Sequence, residues 1–67
     1  MARHDWVFIA NVRAISDGLV LLCEINGRRI GIPTHEIGSG SQVREPGDFG
    51  VLVVSREFAQ RVGMAPG

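Results

Sequence analysis

The stretch VLLCEINGRRIGIP, Val20 to Pro33, decides the fold. Two β-type runs, Leu19–Ile25 and Arg28–Ile32, flank Asn26-Gly27. That dipeptide tolerates positive φ at both positions and suits a type I′ two-residue turn. Such a turn sets Cys23 opposite Ile30, Leu21 opposite Ile32 and Glu24 opposite Arg29. Directly opposed residues share a face of the sheet, so one face is apolar and the other carries a candidate surface ion pair.

Asp17-Gly18 makes the same argument upstream, joining Trp6–Ser16 to Leu19–Ile25. Read as a second two-residue turn, it pairs Ala14 with Leu21, Val12 with Cys23 and Ala10 with Ile25. Two apolar rows result, Val12-Cys23-Ile30 and Ala14-Leu21-Ile32. A slip of one residue in either hairpin scatters them over both faces. The two turns agree on a three-stranded meander. Its other face carries the polar row Asn11, Glu24 and Arg29. Beside that row lie Val7, Ile9, Ile15, Val20 and Leu22, more apolar side chains than a solvated face usually shows. Either the C-terminal helix covers them or they form an interface with a second copy or another protein. Around Ala10-Asn11 the apolar residues switch from both faces to mainly one, which marks a bend point in a long first strand.

Pro33 ends the third strand by removing a donor. Thr34-His35-Glu36-Ile37 reads as one helical turn, with Thr34 capping and Ile37 turned inward. Residues 38–48, GSGSQVREPGD, read as a flexible loop. Phe49 to Val54 is apolar on both faces, as in a fully buried strand. Ser55 is an N-cap for a helix from Arg56 to Val62, with Phe58 and Val62 on one side and Gly63 as its stop. Residues 64–67 are a tail. The expected fold is a single all-β domain over residues 1–67: a small SH3-like or OB-like barrel, made of a three-stranded meander plus a fourth strand, with a short C-terminal helix. OB barrels have five strands, so that closure requires the bent first strand to serve twice.

Sixty-seven residues bury only about 60% of the unfolded surface, which disfavours a deep enzyme pocket. The apolar fraction of 45% and charged fraction of 21% are those of a globular chain rather than a disordered one. Seven acidic residues balance seven arginines and there is no lysine. Zero net charge removes the bulk electrostatic argument for nucleic acid or membrane. The single cysteine, Cys23, has no internal disulfide partner, which points to a reducing, cytoplasmic setting. No apolar run nears the roughly 20 residues of a spanning helix, and MARHDWVFIA lacks the apolar core and cleavage site of a secretory signal. No membrane role is expected.

No catalytic or cofactor-binding pattern emerges. His35-Glu36 lacks the second histidine of a helical zinc motif, since position 39 is serine. Cys23 falls between apolar neighbours, where a thiol is inert. Gly38-Ser39-Gly40 lacks the lysine of a phosphate loop. The chain is therefore read as a non-enzyme. Arg28 and Arg29 beside the second turn, Arg13 and Arg44 as neighbours, and Trp6 as a partly exposed aromatic form a candidate track for single-stranded nucleic acid.

From about Val12 to Met64 the chain resembles a loose set of small phage and bacterial proteins. In these a V-W-I-P-K-S-Q-like stretch is followed by a loop and then G-D-x-G-x-L-x-V-P-x-W-x-A-x-x-x-G-L. The matching segments are GRRIGIPTHEI and PGDFGVLVVSREFAQRVGM, with Gly31 where tryptophan is usual and Ser55 where proline is. The resemblance implies a phage or mobile-element context and assigns no functional residue.

Overall fold

A computed structural model describes residues 5–63. Strands β1 (Trp6–Ser16), β2 (Val20–Ile25), β3 (Arg28–Pro33) and β4 (Phe49–Ser55) form one antiparallel sheet in the order β3-β2-β1-β4. A 3₁₀ turn, η1 (Thr34–Glu36), follows β3, and helix α1 (Arg56–Arg61) follows β4. The sheet is not closed, since β3 and β4 are its two edges. The Cα radius of gyration, 11.0 Å, is close to the roughly 11 Å of a compact unit of this length. The N-terminal His4 and residues 64–67 lie outside the described residues.

The β2–β3 hairpin has the expected register: Cys23 faces Ile30, Leu21 faces Ile32 and Glu24 faces Arg29. Asn26 and Gly27 take φ of 52° and 79°, the conformation of a type I′ turn. Glu24 and Arg29 stand opposite one another without closing to an ion pair.

The first hairpin differs from expectation. Arg13 faces Glu24, Ala14 faces Cys23 and Ser16 faces Leu22, with a bulge between Ala14 and Ser16. The connection is therefore the three residues Asp17, Gly18 and Leu19, and Gly18 does not take positive φ. Cys23 consequently sits between Ala14 and Ile30 rather than between Val12 and Ile30. The register has moved by two residues at Ala14, an even shift that keeps Val12 and Ala14 on the core face, and the bulge sets Ser16 opposite Leu22. Val12, Ala14, Leu21, Cys23, Ile25 and Ile32 are all buried. Burial pushes the Cys23 thiol up from its ordinary pKa, because the charged thiolate loses its water.

Asn11 makes the bend. Its φ is +62°, and the β1–β4 register slips by one between Ile9 opposite Leu52 and Val12 opposite Gly50. Ala10 and Asn11 together oppose Val51, which is the two-against-one count of a β-bulge. Asparagine is among the few residues that accept this left-handed backbone at modest cost. The extra residue inverts the alternation of β1. Upstream of it Val7 and Ile9 face the core, and downstream of it Val12 and Ala14 do. Val7 and Ile9 therefore do not lie on the outer face with Ile15, Val20 and Leu22, where an unbroken strand puts them.

The second sheet edge is covered by the chain between η1 and β4. Gly38 N donates to Val53 O at 2.8 Å and Gln42 N to Val51 O at 2.9 Å. Val51 N donates to Gln42 Oε1, and Val53 N to Ser41 Oγ. Val43 from the same segment is wholly buried in the core. The 38–48 loop is thus bonded along the free edge of β4, the exposure that unprotected edge strands must otherwise manage. Thr34 makes no capping bond, because Pro33 occupies the cap position of η1. Ile37 packs against the core and bridges to Val54. Phe58 and Ala59 of α1 enter the same core, and Gly63 ends the helix at φ of +79°.

Replacing Asn11 tests the bend. Asn11→Gly should leave stability nearly unchanged, whereas Asn11→Val should lose about 1–2 kcal/mol because a β-branched residue resists positive φ. Urea denaturation followed by the fluorescence of Trp6 measures both.

Candidate functional site

Parity now decides what reaches the solvent. On β4, Phe49, Val51, Val53 and Ser55 face away from the core that holds Leu52 and Val54. Their β1 partners share that face: Trp6 lies opposite Ser55, Phe8 opposite Val53 and Arg13 opposite Phe49. Three of the four aromatic residues of the chain therefore stand on the outer face, and the fourth, Phe58, is in the core. Phe8 is 69% exposed, Phe49 59% and Trp6 39%. The Arg13 guanidinium carbon lies 5.7 Å from the Phe49 ring centre, at cation–π distance. From the Ser55 level to the Phe49 level the strip runs about 20 Å at roughly 3.3 Å per residue.

The strip has a floor. Val53 is buried although it faces outward, because Gly38 and the Trp6 ring lie against it. A Cβ on Gly38 would sit 2.7 Å from Val53 Cγ1 and 3.0 Å from Trp6 Cε3, so this contact requires glycine. Across the sheet, Phe49, Arg13, Glu24 and Arg29 form one row over all four strands.

The arginines expected to act together are divided. Arg13 and Arg29 share the outer face, separated by Glu24. Arg28, adjacent in sequence, falls on the opposite face, near Ile9, Ile25 and Ile30. Arg44 is committed to the loop, where Nη2 donates to Gly38 O at 2.7 Å and Nε to Ser41 O at 3.3 Å. Of the residues expected at an interface, Ile15 and Leu22 are half-buried and Val20 is exposed, packed over Gly31. Neither Phe8 nor Phe49 stands out in the sequence as a surface residue. The alternation of β1 hides Phe8 until the bulge is placed, and Phe49 opens a run that reads as wholly buried.

At the Trp6 end the face becomes a groove of about 710 Å³, lined by Asp5, Trp6, Glu36, Arg56, Glu57 and Gln60 among others. Glu36 is half-buried. Its Oε1 accepts from Ser55 Oγ at 2.6 Å, and its Oε2 lies 3.5 Å from His35 Nε2. Ser55 Oγ in turn accepts from Phe58 N at 3.1 Å, so one hydroxyl caps α1 and ties it to η1. Arg56 N donates to Asp5 O at 2.9 Å, which fixes the start of α1 to the start of β1. Among the described residues no three His, Cys, Asp or Glu side chains come together as metal ligands. Among them, too, no helix is long and apolar enough to cross a membrane.

No known protein family, curated protein or solved structure matches the chain.

Ser55→Ala removes both bonds of that hydroxyl. It should cost about 0.5–2 kcal/mol as a lost cap, plus a further penalty for the half-buried Glu36 carboxylate left without its donor. In the Glu36→Ala background the same substitution should cost only the cap. A double-mutant cycle by urea denaturation separates the two parts.

Proposed function

We propose that this protein is a non-enzymatic small β-barrel binding module that takes single-stranded nucleic acid on the outer face of β1 and β4. The observation that carries the reading is the aromatic strip, with Phe8 and Phe49 largely exposed and Arg13 beside Phe49. Single strands bind without a deep pocket where bases stack on aromatic rings and a basic side chain meets the backbone, each stacked base contributing about 1–3 kcal/mol. Four-stranded sheets that bind RNA use two or three outer-face aromatics in this way. Arg13 and Arg29 are the phosphate contacts on this face. Zero net charge makes the binder weak and strongly dependent on its rings.

The barrel belongs to the same proposal. The Ile37–Val54 bridge carries the chain from β3 onto the free edge of β4, which supports an SH3-like or OB-like curl. The cytoplasmic, phage-like setting rests on the lone cysteine and on the resemblance of GRRIGIPTHEI and PGDFGVLVVSREFAQRVGM. A homo-oligomeric adaptor is the second reading. It is favoured by Leu19, 99% exposed, beside exposed Val20 and the half-buried Ile15 and Leu22.

Titration of a fluorescent oligouridylate or oligothymidylate over a range of salt tests the first reading. Phe8→Ala and Phe49→Ala should each weaken binding by about 1–3 kcal/mol. Arg13→Ala with Arg29→Ala should flatten the slope of log K against log salt by about 1.4, from two single-strand phosphate contacts. Arg28→Ala, on the other face, should change the slope little. No binding at low salt contradicts this reading. A sedimenting dimer dissociated by Val20→Ser with Leu22→Ser selects the second.

A further inference from the structure

We infer that the groove at the Trp6 end of the strip is a base-reading subsite that selects guanine, an inference that rests on the strand-binding reading above. The strip does not stop at Trp6. The ring that ends it is also a wall of the groove, so a strand stacked on Phe49 and Phe8 leads its terminal nucleotide to that opening.

The charges of the groove determine which part of a nucleotide enters. Asp5, Glu36 and Glu57 line it, three carboxylates set against the Arg56 guanidinium and the His35 imidazole, whose Nε2 lies 3.5 Å from Glu36 Oε2. A phosphate is repelled there, while the hydrogen-bond-donating edge of a base is attracted. The phosphates stay over Arg13, outside.

The groove is also held still. Glu36 is fixed by Ser55, Ser55 by the first turn of α1, and Arg56 by Asp5, whose carboxylate lies 3.6 Å from Arg56 Nε. Glu57 is exposed, makes no hydrogen bond or ion pair with the other described residues, and stands one turn from Gln60 on α1. Its two oxygens are the acceptors available to an incoming base.

A carboxylate offers two adjacent acceptors. Guanine is the one common base whose Watson–Crick edge carries two adjacent donors, N1–H and the N2 amino group. Adenine and cytosine offer one amino group beside an acceptor, and uracil one imide N–H between two acceptors. Glu57 therefore pairs twice with guanine and once with any other base. Gln60, on the same helix, supplies an amide for O6.

The test uses an oligouridylate, the same oligonucleotide with guanosine at one end or the other, and a third set with inosine there, which lacks the N2 amino group. Binding is read from the fluorescence of Trp6, the sole tryptophan. One guanosine-ended strand should bind roughly tenfold tighter than plain oligouridylate, the size of one bidentate base contact, and inosine should lose most of that gain. Glu57→Gln, an exposed substitution, should abolish the preference of guanosine over inosine and over plain oligouridylate. Equal binding of guanosine and inosine, or a preference that survives in Glu57→Gln, overturns the inference and leaves the strand-binding reading standing. If plain oligouridylate does not bind, both fall together.

Discussion

One backbone conformation sorts this protein into an inside and an outside. Asn11 at φ of +62° inserts an extra residue into β1, and the alternation of the strand changes sign there. Without it, Val7 and Ile9 would face the solvent while Phe8 joined Val12 and Ala14 in the core. With it, both halves of an eleven-residue strand contribute small aliphatic side chains to one core. The aromatics Trp6 and Phe8 are sent to the same face as Arg13 and Phe49. Each aliphatic side chain fully buried this way contributes about 1.5–3 kcal/mol, so the modest strain at Asn11 is amply offset. The exposed aromatic strip is the other consequence of that single residue.

The segment between η1 and β4 does the second structural job. It has no strand of its own, yet Gly38, Ser41 and Gln42 satisfy the outward backbone groups of Val51 and Val53. Val43 is driven into the core as an anchor, and Arg44 ties the loop to its own carbonyls. The same wrapping brings Gly38 beneath Trp6, which supports the ring. Edge protection and the shape of the outer face therefore come from one stretch of chain.

Local signals made much of this legible from the residues. Asn26-Gly27 predicts its turn and register because a type I′ geometry admits few other dipeptides. Ser55 and Gly63 mark the helix ends for the same kind of reason. Asp17-Gly18 misled, because a bulge at Ile15 and a third linking residue, Leu19, keep the facing pattern under a two-residue shift. Period-two reasoning cannot tell those registers apart. The outer-face aromatics stayed hidden because one misplaced parity relocates every residue upstream of Asn11. Arg28 and Arg29 look like a pair in sequence but alternate across the strand, and Arg44 is consumed by carbonyls three and six residues away in its own loop, which no residue pattern marks. Glu36 likewise finds Ser55 nineteen residues away.

The inversion of β1 is the claim on which core and site both depend, and thiol accessibility measures it directly. Single cysteines are placed at Val7, Phe8, Val12 and Arg13 in a Cys23→Ala background, and their native-state labelling rates are compared with the unfolded chain. Phe8→Cys and Arg13→Cys should label at close to the unfolded rate, while Val7→Cys and Val12→Cys should be strongly protected. An unbroken strand puts positions 8 and 12 on one face and 7 and 13 on the other. Equal protection of positions 8 and 12 would contradict the bulge, and with it the aromatic face.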